Sequence, residues 1–251
     1  MVNQTLKVLC VAALVALLSA CGSGKTVDPL VPTRVIGLGD AHNDTGAGQY
    51  TVRGTGEVST VVGQVAALFG GGAAVTSYAS STYAPGDLQT QVAGLGSLQA
   101  SDLIVITAGA AEYASGANGA TTFLNELINA LDTLKTKGAK HILIMSLVDT
   151  AINPDAGVVA FNNTISGGLN SYTDVARYTN IDRPAVTNGF PNWATNTNTP
   201  YCSVTVPPNT GCSVAGQDPS LYFLADSVNP TPAGNRWIAQ YLYNNTAQGW
   251  R

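Results

Sequence analysis

Charge is scarce in this chain: only 10% of its 251 residues are Asp, Glu, Lys or Arg, eleven basic against fifteen acidic. No cationic run or patch stands out, which argues against nucleic acid as a partner. Histidine is scarcer still, with His42 and His141 the only two, so any chemistry that needs an imidazole base must draw on one of them. The apolar run Val8–Leu18 falls short of the roughly 20 residues that a membrane-spanning helix requires. Internal repeats are absent. With so few charges, the polar surface has to come from Asn, Thr, Ser, Gln and Gly, a composition common in exported proteins.

What is present begins with the amino terminus. A short polar start with one cation, Lys7, precedes the apolar run, which ends in Leu18-Ser19-Ala20-Cys21. This is the pattern of a signal peptide over residues 1–20, with small residues at the cleavage site. A cysteine directly after that site resembles the lipobox of bacterial lipoproteins, which implies that Cys21 becomes the acylated first residue and the chain's partner is a membrane. Gly22 follows without the aspartate associated with inner-membrane retention, so an outer-membrane lipoprotein is expected. Residues 21–33, rich in Gly and Pro, suit a lipid-anchored linker. Cleavage would leave ten Lys and Arg against fifteen Asp and Glu, a net charge of −5.

From Arg34 onward about 215 residues remain, enough for one domain with a full core. Short apolar, β-branched runs alternate there with amphipathic stretches, the signature of a parallel sheet covered by helices. Strands are expected at 34–38, 74–78, 102–107, 141–147 and 178–181. Helices are expected at 58–69, 87–98, 122–137, 161–172 and from Pro232 through Asn244. Residues 184–220 read as one long excursion full of turn signals. Within it Cys202 and Cys212 are the two cysteines left after Cys10 departs with the signal and Cys21 is lipidated, and in an oxidising compartment a disulfide is the default. A metal site there would lack any histidine or further thiolate.

The chemistry-bearing motifs fall at strand ends. After the first strand stands Gly39-Asp40-Ala41-His42-Asn43-Asp44-Thr45-Gly46; after the second, Ser77-Tyr78-Ala79-Ser80-Ser81-Thr82; after the third, Gly109-Ala110-Ala111-Glu112-Tyr113; and before the last helix, Asp226-Ser227-Val228-Asn229-Pro230-Thr231. In order and spacing these resemble the conserved blocks of the GDSL/SGNH hydrolases, on the bacterial esterase and lecithinase-like branch, over residues 34–245. The resemblance implies a three-layer α/β/α sandwich with a flavodoxin-like parallel sheet of about five strands, and a family activity on acyl esters.

At the positions that resemblance makes catalytic, this chain departs from the family. The nucleophilic serine is replaced by Ala41, whose methyl group has no lone pair to attack a carbonyl. The glycine backbone donor of the oxyanion hole corresponds to Ser81, within a residue. The asparagine side-chain donor is Ala111, and Glu112 replaces the aspartate beside it. The histidine base is Asn229, which does not titrate, so Asp226, the family's orienting carboxylate, has no base to orient. The expected role is therefore non-catalytic, either a binding cleft for an acyl chain or glycan or a scaffold; an ester hydrolase with a rearranged site is the alternative. No cofactor is implied. His42, with Asp40, Asp44 and Glu112 as candidate neighbours, offers the residue types of a carboxylate–histidine metal site, but the spacing matches no recognised metal motif, and no metal is expected. His141 reads as an ordinary strand-end residue.

Overall fold

The computed structural model describes residues 30–45, 60–148, 155–181, 196, 199–202, 214–226, 229–246 and 250. The chain divides into two compact units. In the smaller, Met1–Leu30 with Trp250–Arg251, the described residues are Leu30 and Trp250, and the Leu30 N–H donates to the Trp250 carbonyl. The larger unit, Val31–Gly249, carries all the secondary structure discussed below.

Its elements run β1 (Arg34–Gly39), α1 (Val61–Leu68), β2 (Ala74–Ser77), α2 (Asp87–Ala93), β3 (Asp102–Thr107), α3 (Ala110–Ala114), α4 (Gly119–Lys137), β4 (His141–Met145), α5 (Ala156–Gly168), β5 (Ala176–Thr179) and α6 (Pro232–Thr246). The strands form one parallel sheet in the order β2-β1-β3-β4-β5. The β-branched runs of β1, β3 and β4 are continuously buried because helices cover both faces. One face presents Ile36, Leu38, Ile104, Ile106, Ile142 and Ile144 to Leu88 and Val92 of α2, Leu127 and Leu131 of α4, and Phe161 and Ile165 of α5. Toward the other face α1 lies on β1 and β2, and α6 lies on β4 and β5. The result is the expected α/β/α sandwich, with the β1/β3 junction as its topological switch point.

Local signals set the element ends. Thr60 caps α1 by accepting the Gly63 N–H at 3.3 Å, and Asp155 caps α5 by accepting the Gly157 N–H at 2.7 Å. Thr231 Oγ1 accepts the Gly234 N–H at 2.9 Å at the start of α6, where Pro232 supplies a preset φ. Gly138, at φ +107°, ends α4 behind Lys135 and Lys137. At the bottom of the sheet the Arg34 guanidinium grips the buried Asp102 carboxylate with two bonds, at 3.1 and 2.5 Å, fixing the β1–β3 register.

The structure corrects several expected boundaries. The helix expected over 87–98 stops at Ala93, because Gly94 and Gly96 withdraw side-chain packing from its second half. The helix expected over 161–172 starts five residues earlier, at Ala156, under the Asp155 cap, and its last part is a separate 3₁₀ turn, Asn170–Tyr172. The fifth strand lies at Ala176–Thr179 and not at 178–181, β4 ends at Met145, and α3 was not anticipated. Of the 184–220 excursion, the described part shows a 3₁₀ turn at Pro219–Leu221 and an isolated bridge between Asn196 and Tyr222. Cys202 is buried beside Tyr201 and Ala225. Cys21 and Cys212 lie outside the described residues.

Candidate functional site

The site is built on the carboxyl ends of β1 and β3. Gly39 ends β1 at φ +104°, and a Cβ there would lie 1.7 Å from the Thr107 carbonyl oxygen of β3, so only glycine fits. Gln91 of α2 brackets this glycine, accepting its N–H at 2.6 Å and donating to its carbonyl at 3.0 Å. The Asp40 N–H donates to the Thr107 carbonyl at 2.7 Å, and Thr107 Oγ1 donates to Asp40 Oδ1 at 2.9 Å. Asn43, fully buried, holds the turn from below: its Nδ2 donates to the carbonyls of Leu38 and Val105 at 3.0 and 2.9 Å, and its Oδ1 accepts the Val62 N–H at 2.9 Å. Ala41 is thereby fixed at the tip of a rigid turn. Its N–H has no acceptor among the described residues, as an oxyanion-hole donor requires, but its methyl offers no nucleophile.

Each of the other family positions can be placed. Ser81 follows β2, and its N–H donates to Asp44 Oδ2 at 2.9 Å, so the backbone donor expected there is occupied by the chain's own carboxylate. The N–H groups of Ala79, Ser80 and Thr82 are likewise taken, by Ser77 Oγ, the Gly39 carbonyl and Ser80 Oγ. Ala111 is the second residue of α3, directly after β3, and brings no side-chain donor to this edge. Asp226 is fully buried. Asn229 donates to it twice, through its backbone N–H at 2.7 Å and its Nδ2 at 3.1 Å. The amide thus stands toward Asp226 as the family's histidine would, as a donor, yet it has no basic lone pair to take a proton.

His42 enters this constellation in a way the sequence left open. Its Nδ1 lies 2.9 Å from Asp40 Oδ1, which also accepts the His42 N–H at 3.1 Å. Its Nε2 is buried without a partner among the described residues. Burial works against the imidazolium, but Asp40, in contact, and Asp226, acting through space, outweigh it and raise the His42 pKa above the ordinary value of 6.5. An imidazole therefore does rest on a carboxylate at this end of the sheet, supplied by the turn after β1 and not by the loop before α6. Among the described residues no three His, Cys, Asp or Glu side chains converge as a metal site.

His141 opens β4 opposite Leu103, at the other end of the sheet. Its Nδ1 lies 3.0 Å from the Ala100 carbonyl and burial lowers its pKa, as suits a strand-end residue. Gln91, Asn43 and Thr107 went unnoticed in the sequence because a glutamine, an asparagine and a threonine become positioning groups only when the fold brings distant backbone to them.

No protein-family model and no curated protein matches the sequence. Solved structures do. A member of the lipolytic protein G-D-S-L family from Veillonella parvula superposes with a TM-score of 0.52 at 13% identity, covering 86% of this chain and 98% of that one. A protein described as a GDSL-like lipase from Parabacteroides merdae gives 0.54 at 17% identity, over 88% of this chain and 98% of that one. A catalytic mutant of an acetylxylan esterase from Geobacillus stearothermophilus gives 0.52 at 15% identity, over 84% and 93%. At such identities the likeness establishes the fold: the chain carries the α/β/α fold that these GDSL-type proteins share.

Proposed function

We propose that this chain is a bacterial envelope lipoprotein whose SGNH-hydrolase-like domain has no serine-hydrolase activity and serves instead to bind an acyl or glycan ligand or to act as a scaffold. The observation that carries the reading is Ala41, held at the nucleophile turn by Gly39, Gln91 and Asn43, while Asn229 occupies the base position and donates to Asp226. Removing one triad member typically costs ~10⁴ or more in turnover. Here two are replaced, the side-chain donor is missing at Ala111, and the Ser81 N–H is committed to Asp44. The acetylxylan and lipolytic proteins that share the fold act on esters, so an acyl or glycan ligand is the chemistry this edge of the sheet would inherit. Anchoring through Cys21 and a Cys202–Cys212 disulfide belong to the same proposal and follow from the amino-terminal pattern and the exported compartment.

The test is direct. The purified mature protein is incubated with p-nitrophenyl esters and with a fluorophosphonate probe, beside a heat-treated control. Neither turnover nor labelling is expected; either one above the control sinks the non-catalytic reading and points first to His42. The triple variant Ala41→Ser, Ala111→Asn, Asn229→His should gain only weak activity, because the Ser81 donor remains bound to Asp44.

A further inference from the structure

Glu112 of α3, which follows Ala111 in the third block, and Glu126 of α4 are both buried, Glu112 fully. One oxygen of each is satisfied. Glu112 Oε1 accepts the Tyr83 hydroxyl at 2.9 Å, and Glu126 Oε1 accepts the N–H groups of Gly86 and Leu88 at the start of α2, both at 3.1 Å. The second oxygens, both Oε2, are buried and have no donor. No described Lys, Arg or His forms an ion pair with either carboxyl. Both carboxyls bond to the one short segment from Tyr83 to Leu88, and α3 packs on α4, so the two buried acids share one locus; two ionised carboxylates, being acceptors only, cannot bond to one another.

We infer that Glu112 and Glu126 form a proton-binding site, in which one shared proton clamps α3 to α4 and, through Tyr83 and the α2 amino terminus, to the segment that follows β2. A proton on one carboxyl turns it into a donor for the other and satisfies both orphan oxygens at once. Its loss leaves two adjacent buried charges that no cation offsets. The groups facing the pair are few. Tyr83 comes from the segment before α2, and its own pKa is raised by burial and by the glutamates, so it remains a donor; Asp40 acts on it from farther away.

Burial first, with Glu126 adding to it against the backbone and Tyr83 bonds, pushes the Glu112 carboxyl up to about 7. A carboxyl whose folded pKa is raised binds its proton more tightly when folded. The stability linked to it is complete below the unfolded value of 4.5 and is lost as pH rises through the folded value of about 7.

Thermal midpoints of the mature protein and of Glu112→Gln, measured between about pH 5 and 8, test this, because glutamine supplies the donor permanently. The parent midpoint should fall by several degrees across that interval, and the variant should hold most of its midpoint. His42 titrates in both proteins alike, so the difference between them isolates the pair. Glu126→Gln places the same donor on the opposite side and should flatten the curve equally. Parallel curves for parent and variants would overturn the proposal. Infrared difference spectra of the unmutated protein read the same proton directly: a protonated-carboxyl band should be present at about pH 6 and fade by about pH 8. Its absence at about pH 6 would overturn the proposal independently of how the variants fold. Rescue of the parent midpoint at high pH by Ca²⁺, absent in Glu112→Gln, would instead make this a cation site and equally overturn it.

Discussion

His42 shows how one residue can bring an imidazole to a carboxylate from an unexpected place in the chain. The resemblance puts an imidazole beside a buried carboxylate; here the imidazole comes from the residue after Ala41 and rests on Asp40, while the charge of Asp226 adds to its raised pKa. Its raised pKa means that the folded state binds the proton more tightly. The stability that His42 contributes is complete below the unfolded value of 6.5 and is lost as pH rises through the higher folded value. His141 is shifted in the opposite direction. A ¹³C- or ¹⁵N-edited titration should therefore show one imidazole turning over above 6.5 and the other below, and His42→Gln should remove the upper one. Upper and lower midpoints assigned the other way round would contradict the contact of His42 with Asp40. Gly39 belongs to the same scale. Gly39→Ala forces a methyl into the Thr107 carbonyl at positive φ, and a loss of roughly 1–3 kcal/mol or more is expected in urea unfolding; a change of a few tenths would show that the turn yields.

Among the elements, β1, β3 and α1 meet at one side chain. Asn43 bonds two strand carbonyls and the Val62 N–H, so it substitutes for ladder bonds that the chain reversal removes. Asn43→Ala strands three buried backbone groups, each worth about 1–3 kcal/mol if left unpaired, and the whole should cost on the order of 3 kcal/mol after relaxation. A urea midpoint within error of the parent would mean that water replaces the amide. The strands were legible in the sequence because Val35-Ile36 and Leu103-Ile104-Val105-Ile106 are uninterrupted apolar runs that parallel burial demands. Helix ends were less so. α5 begins at Ala156 behind Asp155, whose capping role competes with its reading as an ordinary loop residue, and α2 ends where Gly94 and Gly96 weaken a periodic pattern that by itself continues. The positions of Ala41, Ala111 and Asn229 could be read off the motifs, while the Asp44–Ser81 bond and the bonds that bring Glu112 and Glu126 to the Tyr83–Leu88 segment could not, since all join residues whose nearness depends on how elements pack.

For the molecule as a whole, the proposed export should leave two chemical marks that one experiment reads. Protein extracted from the membrane fraction of its host should give an intact mass carrying lipid on a mature chain that starts at Cys21, with no free thiol at Cys202 or Cys212; the loop between those two is short, and the chain-entropy model gives its closure roughly 2–3 kcal/mol. Cys21→Ala should move the protein to the soluble envelope fraction. Continued membrane association of that variant, or two alkylatable thiols in the unreduced protein, would refute the corresponding part of the proposal.

The bonds from Asn229 to Asp226 also bear on any attempt to evolve an esterase from this chain. Asp226 is fully buried and receives both the backbone and the side-chain N–H of residue 229. A library member with Asn229→His exchanges the settled amide donor for an imidazole, and without a serine at 41 a nucleophile is still missing. A member with serine at 41 gains a hydroxyl that no base ionises. Under the proposed non-catalytic reading neither first step is rewarded, so a selection that accumulates single substitutions stalls, and simultaneous mutagenesis of 41, 111 and 229, on a stabilised background, is the route past it.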